Sequence, residues 1–183
     1  MSKETLIGNP NNNDDMWKKL MQNSNEAVLI INGPNLNFLG IRETDKYGSV
    51  SYEELINKVR KEAGLGRRVE FFQSNLEGEI VNFIHELARN EKNYLSRTTA
   101  PSAPRPNIIG LVINPGGLTH TSVSLRDALS ILLMPIVEVH ITDITKRENY
   151  RKTNLISDLC VKSIIGKGVD GYIEGVDFLY EKN

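Results

Sequence analysis

Five short apolar runs recur along the chain with helical stretches between them. They are Ala27-Val28-Leu29-Ile30-Ile31, Val69-Glu70-Phe71-Phe72, Ile108-Ile109-Gly110-Leu111-Val112-Ile113, Ile136-Val137-Glu138-Val139-His140 and Ser163-Ile164-Ile165. Runs of this length, β-branched and apolar at nearly every position, belong to strands covered on both faces, because a half-exposed strand would alternate polar and apolar residues. The intervening stretches have helical spacing. Ser51-Tyr52-Glu53-Glu54 is a capping box in which the Ser51 hydroxyl and the Glu54 carboxylate satisfy free backbone donors, and Leu55, Ile56 and Val59 follow as an apolar face. Ile80, Ile84, Leu87 and Ala88 predict a second helix from Glu77 to Arg89; Leu125, Ala128, Leu129 and Leu132 predict a third from Ser124 to Leu133; a last runs from Asp170 to Tyr180. Strands alternating with helices imply right-handed crossovers, so the expected fold is an α/β, flavodoxin-like three-layer αβα sandwich with a five-stranded parallel sheet.

Outside that pattern lie two segments. Residues 1–25 include the run Asn9-Pro10-Asn11-Asn12-Asn13-Asp14-Asp15, whose turn chemistry cannot build a packed element, so they read as a flexible N-terminal arm. Within it Met16, Trp17, Leu20 and Met21 have the spacing of one short helical turn that could dock on the body or on a neighbouring subunit, though the plainer reading is a tail without function. Residues 93–107, with three prolines, two serines and two threonines, read as a surface insertion in a single catalytic domain spanning 26–183. The 22 basic and 23 acidic residues nearly cancel, giving no global field for nucleic acid or an anionic membrane. A lone cysteine, Cys160, cannot form an intrachain disulfide or a zinc cluster, and no apolar run is long enough to span a bilayer. The expectation is a cytoplasmic protein.

In an open parallel sheet, ligands bind beyond the carboxyl ends of the strands, and there the polar residues collect. Asn32-Gly33-Pro34-Asn35-Leu36-Asn37 follows the first run and leads through Arg42 to Tyr47. Asn114-Pro115-Gly116-Gly117 and Thr119-His120-Thr121-Ser122 follow the third run, and Glu138-Val139-His140-Ile141-Thr142 ends the fourth. Arg42 beside Tyr47 would favour phenolate and make the tyrosine a general base. His140, oriented by Glu138, can give a proton to a leaving hydroxyl. Asn35, Asn114 and the Gly116-Gly117 amides can hold a developing oxyanion, and Arg151 can grip a carboxylate. An acid and a base acting on one substrate suggest elimination. Taken singly, each residue has a plainer reading: a packed loop tyrosine, a structural histidine, a helix-capping His120, a solvated Arg151 among Lys146, Arg147 and Lys152.

At these residues the sequence resembles the type II 3-dehydroquinate dehydratases over residues 26–180, apart from 93–107. The resemblance rests on Asn32-Gly33-Pro34-Asn35-Leu36-Asn37, Arg42-Glu43, Tyr47-Gly48, Gln73-Ser74-Asn75 with Glu77-Gly78, Asn114-Pro115-Gly116 with Thr119-His120-Thr121-Ser122, Leu125-Arg126-Asp127-Ala128 and Glu138-Val139-His140. It implies dehydration of 3-dehydroquinate to 3-dehydroshikimate by anti elimination through an enolate, in the shikimate pathway or quinate catabolism, with no metal and no other cofactor. Tyr47 would be the base, Arg42 its activator, His140 the acid, Glu138 its orienter and Asn35 the holder of a water on the enolate. Asn114, His120, Ile141, Thr142 and Arg151 would bind substrate. Asp127 would reach a neighbour's site in a trimer-based homo-oligomer, a dodecamer, and the stretch from Leu36 to Tyr47 would be a lid. Four residues depart from the family pattern: Leu118 for an aromatic, Thr142 for serine, Asp143 for asparagine and Thr145 for histidine. Leu118 and Asp143 leave room for an alternative, an inactive homologue acting as a binding module. A nucleotide or flavin protein on the same fold is disfavoured, since Gly33-Pro34-Asn35-Leu36 is no glycine-rich phosphate turn.

Overall fold

The computed structural model describes Leu20 and residues 25–42, 48–96 and 108–182. Tyr47, most of the N-terminal arm and residues 97–107 lie outside them. Strands β1 (Ala27–Asn32), β2 (Arg68–Gln73), β3 (Ile108–Asn114), β4 (Ile136–His140) and β5 (Lys162–Ile165) form one parallel sheet in the order β2-β1-β3-β4-β5. The five strands are those expected from the apolar runs. The helices are α1 (Tyr52–Glu62), α2 (Glu77–Ser96), α3 (Leu118–Thr121), α4 (Val123–Leu129) and α5 (Asp170–Lys182).

Period-two alternation divides the strand side chains between two apolar layers. Val28, Ile30, Val112, Val137 and Val139 pack with α1 and α5, while Leu29, Ile31, Leu111, Ile113 and Ile136 pack with α2 and α4. Leu20 is buried in the second layer. Both glycines of α5 lie against the sheet: a Cβ on Gly171 would stand 3.2 Å from Ile164 and Val139, and one on Gly175 3.2 Å from Val112. Close approach of helix to sheet explains them better than helix weakness. The α1 capping box forms at both ends, Ser51 accepting from the Glu54 amide and Glu54 from the Ser51 amide.

Two helix ends differ from expectation. Helix α2 runs on to Ser96, so residues 93–96, read from composition as loop, continue it. Nothing before Pro101 breaks a helix, and Glu91 on this extension is buried, accepting the amides of Leu133 and Met134 at 3.0 and 2.9 Å. The third helix stops at Leu129, not Leu133, and is preceded by the separate turn α3. Beyond Leu129 the chain tightens into i to i+3 bonds and then gives its next two amides to Glu91 ahead of Pro135.

Candidate active site

Strand order reverses direction of growth between β1 and β3, and the loops leaving those two strands part there. The parting opens a cleft of about 710 Å³, partly open to solvent, lined on one side by Pro34, Asn35, Leu36, Leu39 and Arg42 and on the other by the segments after β3 and β4. Gly33 lets the first loop meet the third: its amide donates to Asn114 O at 2.8 Å, and a Cβ there would lie 2.2 Å from Pro115 O. Asn35 sits in the left-handed region at φ 69°, which asparagine tolerates better than most residues, and its amide donates to Asn75 Oδ1 at 2.7 Å. Gln73 Nε2 donates to the same oxygen and to Gly33 O, so the Gln73-Ser74-Asn75 motif shapes the cleft's first wall from behind.

His140 is at the cleft, 4% exposed, and its Nε2 lies 3.1 Å from Glu138 Oε2. Residues two apart on a strand share a face, which is why these two meet. Glu138 is fully buried and does not touch the cleft. Asn154 Nδ2 donates to its Oε2 at 2.8 Å, and the Ser163 hydroxyl to its Oε1. Burial alone would raise the Glu138 carboxyl, but the hydrogen bonds from His140, Asn154 and Ser163, with the charge on His140, together outweigh it and hold the group below its ordinary range. An ionised Glu138 accepts a hydrogen bond from His140 Nε2–H, leaving Nδ1 as the ring nitrogen available to a substrate.

His120 is half-buried on α3 and also lines the cleft. Its Nδ1 donates to Thr153 O at 2.6 Å, so Nε2 is left for a ligand. The cap of α4 is Ser122, which accepts from the Leu125 amide at 2.8 Å and donates to Glu77. Capping is therefore not the work of His120.

Asn114, at the end of β3, belongs to a buried chain of polar groups with a single direction. The Gly116 amide donates to Asn114 Oδ1 (3.2 Å), Asn114 Nδ2 to the Tyr172 hydroxyl (2.8 Å), Tyr172 to Asn32 Oδ1 (2.7 Å) and Asn32 Nδ2 to the Tyr52 hydroxyl (3.4 Å). Tyr172 is fully buried and its phenol is pushed far above the ordinary range by that burial; Tyr52 is pushed up to about 12 for the same reason. Both hydroxyls stay neutral, Tyr172 donating to Asn32 and Tyr52 accepting from it. The chain fixes which end of the Asn114 amide faces which neighbour.

Three arginines give the cleft its charge: Arg42, Arg147 and Arg151. Glu148 lies between the last two, 3.5 Å from Arg147 Nε and 3.3 Å from Arg151 Nε. Its carboxyl is held below the ordinary range, first by a backbone hydrogen bond and then by the two guanidiniums. Arg147 also donates to Thr142 Oγ1 at 3.3 Å, and Arg151 stands over the Tyr150 ring. Of the expected site residues, Asn35, Arg42, Asn114, His120, His140, Ile141, Thr142 and Arg151 line this one cleft, with Glu138 directly behind His140. Asp127 does not; it is exposed on α4. Tyr47 is outside the described residues. Sequence reasoning missed Arg147 as a cleft residue, the Asn32-Tyr172-Tyr52 chain, and Asn154 with Ser163.

The two departures that favoured an inactive homologue lie away from the cleft's working groups. Asp143 caps the turn Ile144–Lys146: its carboxylate accepts from the Thr145 amide and hydroxyl and pairs with Lys146 at 3.2 Å, and it lines no part of the cleft. Leu118 packs on the apolar layer shared with α2 and α4.

Comparison with known proteins matches the chain to one family. A family model described as dehydroquinase class II matches residues 26–180. The 3-dehydroquinate dehydratase of Halothermothrix orenii is 43% identical over 151 residues, covering 82% of this chain and 90% of the relative. The catabolic 3-dehydroquinase of Podospora anserina is 42% identical over 152 residues, covering 82% and 91%. The crystal structure of a type II dehydroquinase from Butyrivibrio crossotus superposes with a TM-score of 0.73 at 38% identity, covering 86% of this chain and 99% of that one.

Proposed function

The chain belongs to the class II dehydroquinase family, and on that premise we propose that its cleft dehydrates 3-dehydroquinate to 3-dehydroshikimate. The protein is a hydro-lyase. The observation that carries the reading is the His140–Glu138 pair set against three arginines at the β1/β3 switch point. Arg151 and Arg147 take the substrate carboxylate, and Asn114, His120, Ile141 and Thr142 hold its hydroxyls and ring. Tyr47, five residues after Arg42 in the sequence, removes the proton beside the ketone, giving an enolate. Asn35, with a water, and the Gly116-Gly117 turn stabilise the oxyanion. His140, charged as imidazolium against the Glu138 carboxylate, then gives its Nδ1 proton to the departing hydroxyl, and water leaves. No cofactor takes part.

Residues 26–183 form the single catalytic domain, which assembles as a trimer-based dodecamer in the cytoplasm. Support for assembly comes from Asp127, exposed on α4 outside its own cleft, one turn from the exposed apolar Val123. Support for a reducing compartment comes from the single cysteine, Cys160, which is free. Among the described residues no helix is long and apolar enough to cross a membrane. The reaction serves aromatic amino acid biosynthesis or quinate breakdown, which need the same step.

Purified protein given 3-dehydroquinate should produce the ultraviolet absorbance of a conjugated enone, and the rate should survive both a chelator and borohydride. Tyr47→Phe should lower turnover by about 10²-fold or more with substrate affinity nearly unchanged, since only the ionisable oxygen is lost. Loss of the rate to a chelator or to borohydride would refute the mechanism, and a well-folded protein without turnover would refute the function.

A further inference from the structure

We propose that Asn154 is a positioning residue for the acid of this reaction, and that the segment around it aligns both cleft histidines as one strap. Three consecutive residues act on the site from behind. Thr153 O accepts from His120 Nδ1 at 2.6 Å, Asn154 Nδ2 donates to Glu138 Oε2 at 2.8 Å, and the Leu155 amide donates to Thr119 O at 3.0 Å, next to His120. The strap is anchored on its C-terminal side. Asn154 Oδ1 accepts the Ile156 and Ser157 amides at 3.0 and 3.2 Å, and Arg126 on α4 donates to Leu155 O and pairs with both oxygens of Asp158. Ile156 is fully buried in the apolar layer beneath.

The Oε2 oxygen of Glu138 accepts from both His140 Nε2 and Asn154 Nδ2, and Ser163 occupies Oε1. A carboxylate with each oxygen assigned can neither rotate nor take up a proton readily, so the imidazole it holds stays in one orientation. Asn154 touches neither the cleft nor the reacting atoms. Its amide has two ends with separate jobs: the oxygen builds the turn, and the nitrogen serves the acid.

This inference rests on the dehydratase reading, and its test separates the two. Asn154→Asp keeps the oxygen that accepts Ile156 and Ser157 and replaces the donor to Glu138 with a second acceptor. In a protein whose wild type turns over 3-dehydroquinate, this variant should fold with kcat lowered at least about tenfold and KM within about threefold, because a buried acceptor losing its donor perturbs only the acid. In a Glu138→Gln background the same substitution should have little further effect on kcat. An equal loss in both backgrounds, or an Asn154→Asp enzyme with wild-type kcat, would overturn the proposal. If Asn154→Asp does not fold, Asn154→Ser against Asn154→Ala carries the test, since the two differ by one hydroxyl able to donate to Glu138. The serine variant should keep the higher kcat, and equality would overturn the proposal. A wild type without turnover refutes the dehydratase reading itself, whatever the variants do.

Discussion

His140 and Glu138 were legible as a pair because alternation on a strand puts residues two apart on one face, and a histidine behind which a carboxylate sits has a defined tautomer. The carboxylate's own partners were not legible: Asn154 and Ser163 reach it from a later loop and from β5, and no local pattern announces them. Arg147 was hidden for a different reason. In sequence it is one of a basic cluster, but the turn capped by Asp143 leaves Lys146 in solvent and turns Arg147 into the cleft. The Glu138 environment has a consequence for stability. Its folded pKa lies below the ordinary 4.5, so its ionised form stabilises the fold above that value, and the contribution is lost as pH falls through the lowered one. Thermal midpoints of wild type and Glu138→Gln, compared from about pH 6 down to about pH 3, should therefore converge as the medium becomes more acid. A constant difference across that range would deny Glu138 its lowered pKa.

Among the elements, all five strands follow from continuous apolar runs, while the helix ends follow from contacts that periodicity does not contain. Helix α2 outlasts its apolar stripe because Glu91 is occupied with the amides after α4, and α4 ends early for the same reason. The polar chain from Asn114 to Tyr52 joins the ends of β1 and β3 to α1 and α5, across 140 residues of sequence between Asn32 and Tyr172. A tyrosine on the inner face of a helix reads as core, so its hydroxyl's partners could not be foreseen. Tyr172→Phe leaves a buried amide oxygen and an amide N–H without partners, and should cost about 1–3 kcal/mol in urea unfolding. An unchanged urea midpoint would mean that the chain contributes nothing net to stability. Because Asn114 would then be oriented by the Gly116 amide alone, KM should rise in the same variant.

At the scale of the whole molecule, the order β2-β1-β3-β4-β5 accounts for the position of the cleft, since only at the β1/β3 boundary do adjacent loops leave in opposite directions. Alternating elements made that architecture legible, and the motifs at the strand ends made its chemistry so. What a single chain holds least of is assembly. If Asp127 serves a neighbouring cleft, Asp127→Ala should lower the catalytic rate while leaving its own fold intact. Mixing Asp127→Ala subunits with His140→Ala subunits should recover activity above that of either alone, by forming mixed sites with neither lesion. No recovery after verified subunit exchange would place Asp127 outside the reaction. Dehydration of 3-dehydroquinate in this cleft with His140 as acid is decided by kcat measured side by side for wild type and His140→Ala. The wild type should form product and the variant should lose about 10²-fold or more of its rate, with substrate affinity nearly kept. Equal rates in the two, or none in the wild type, would contradict it.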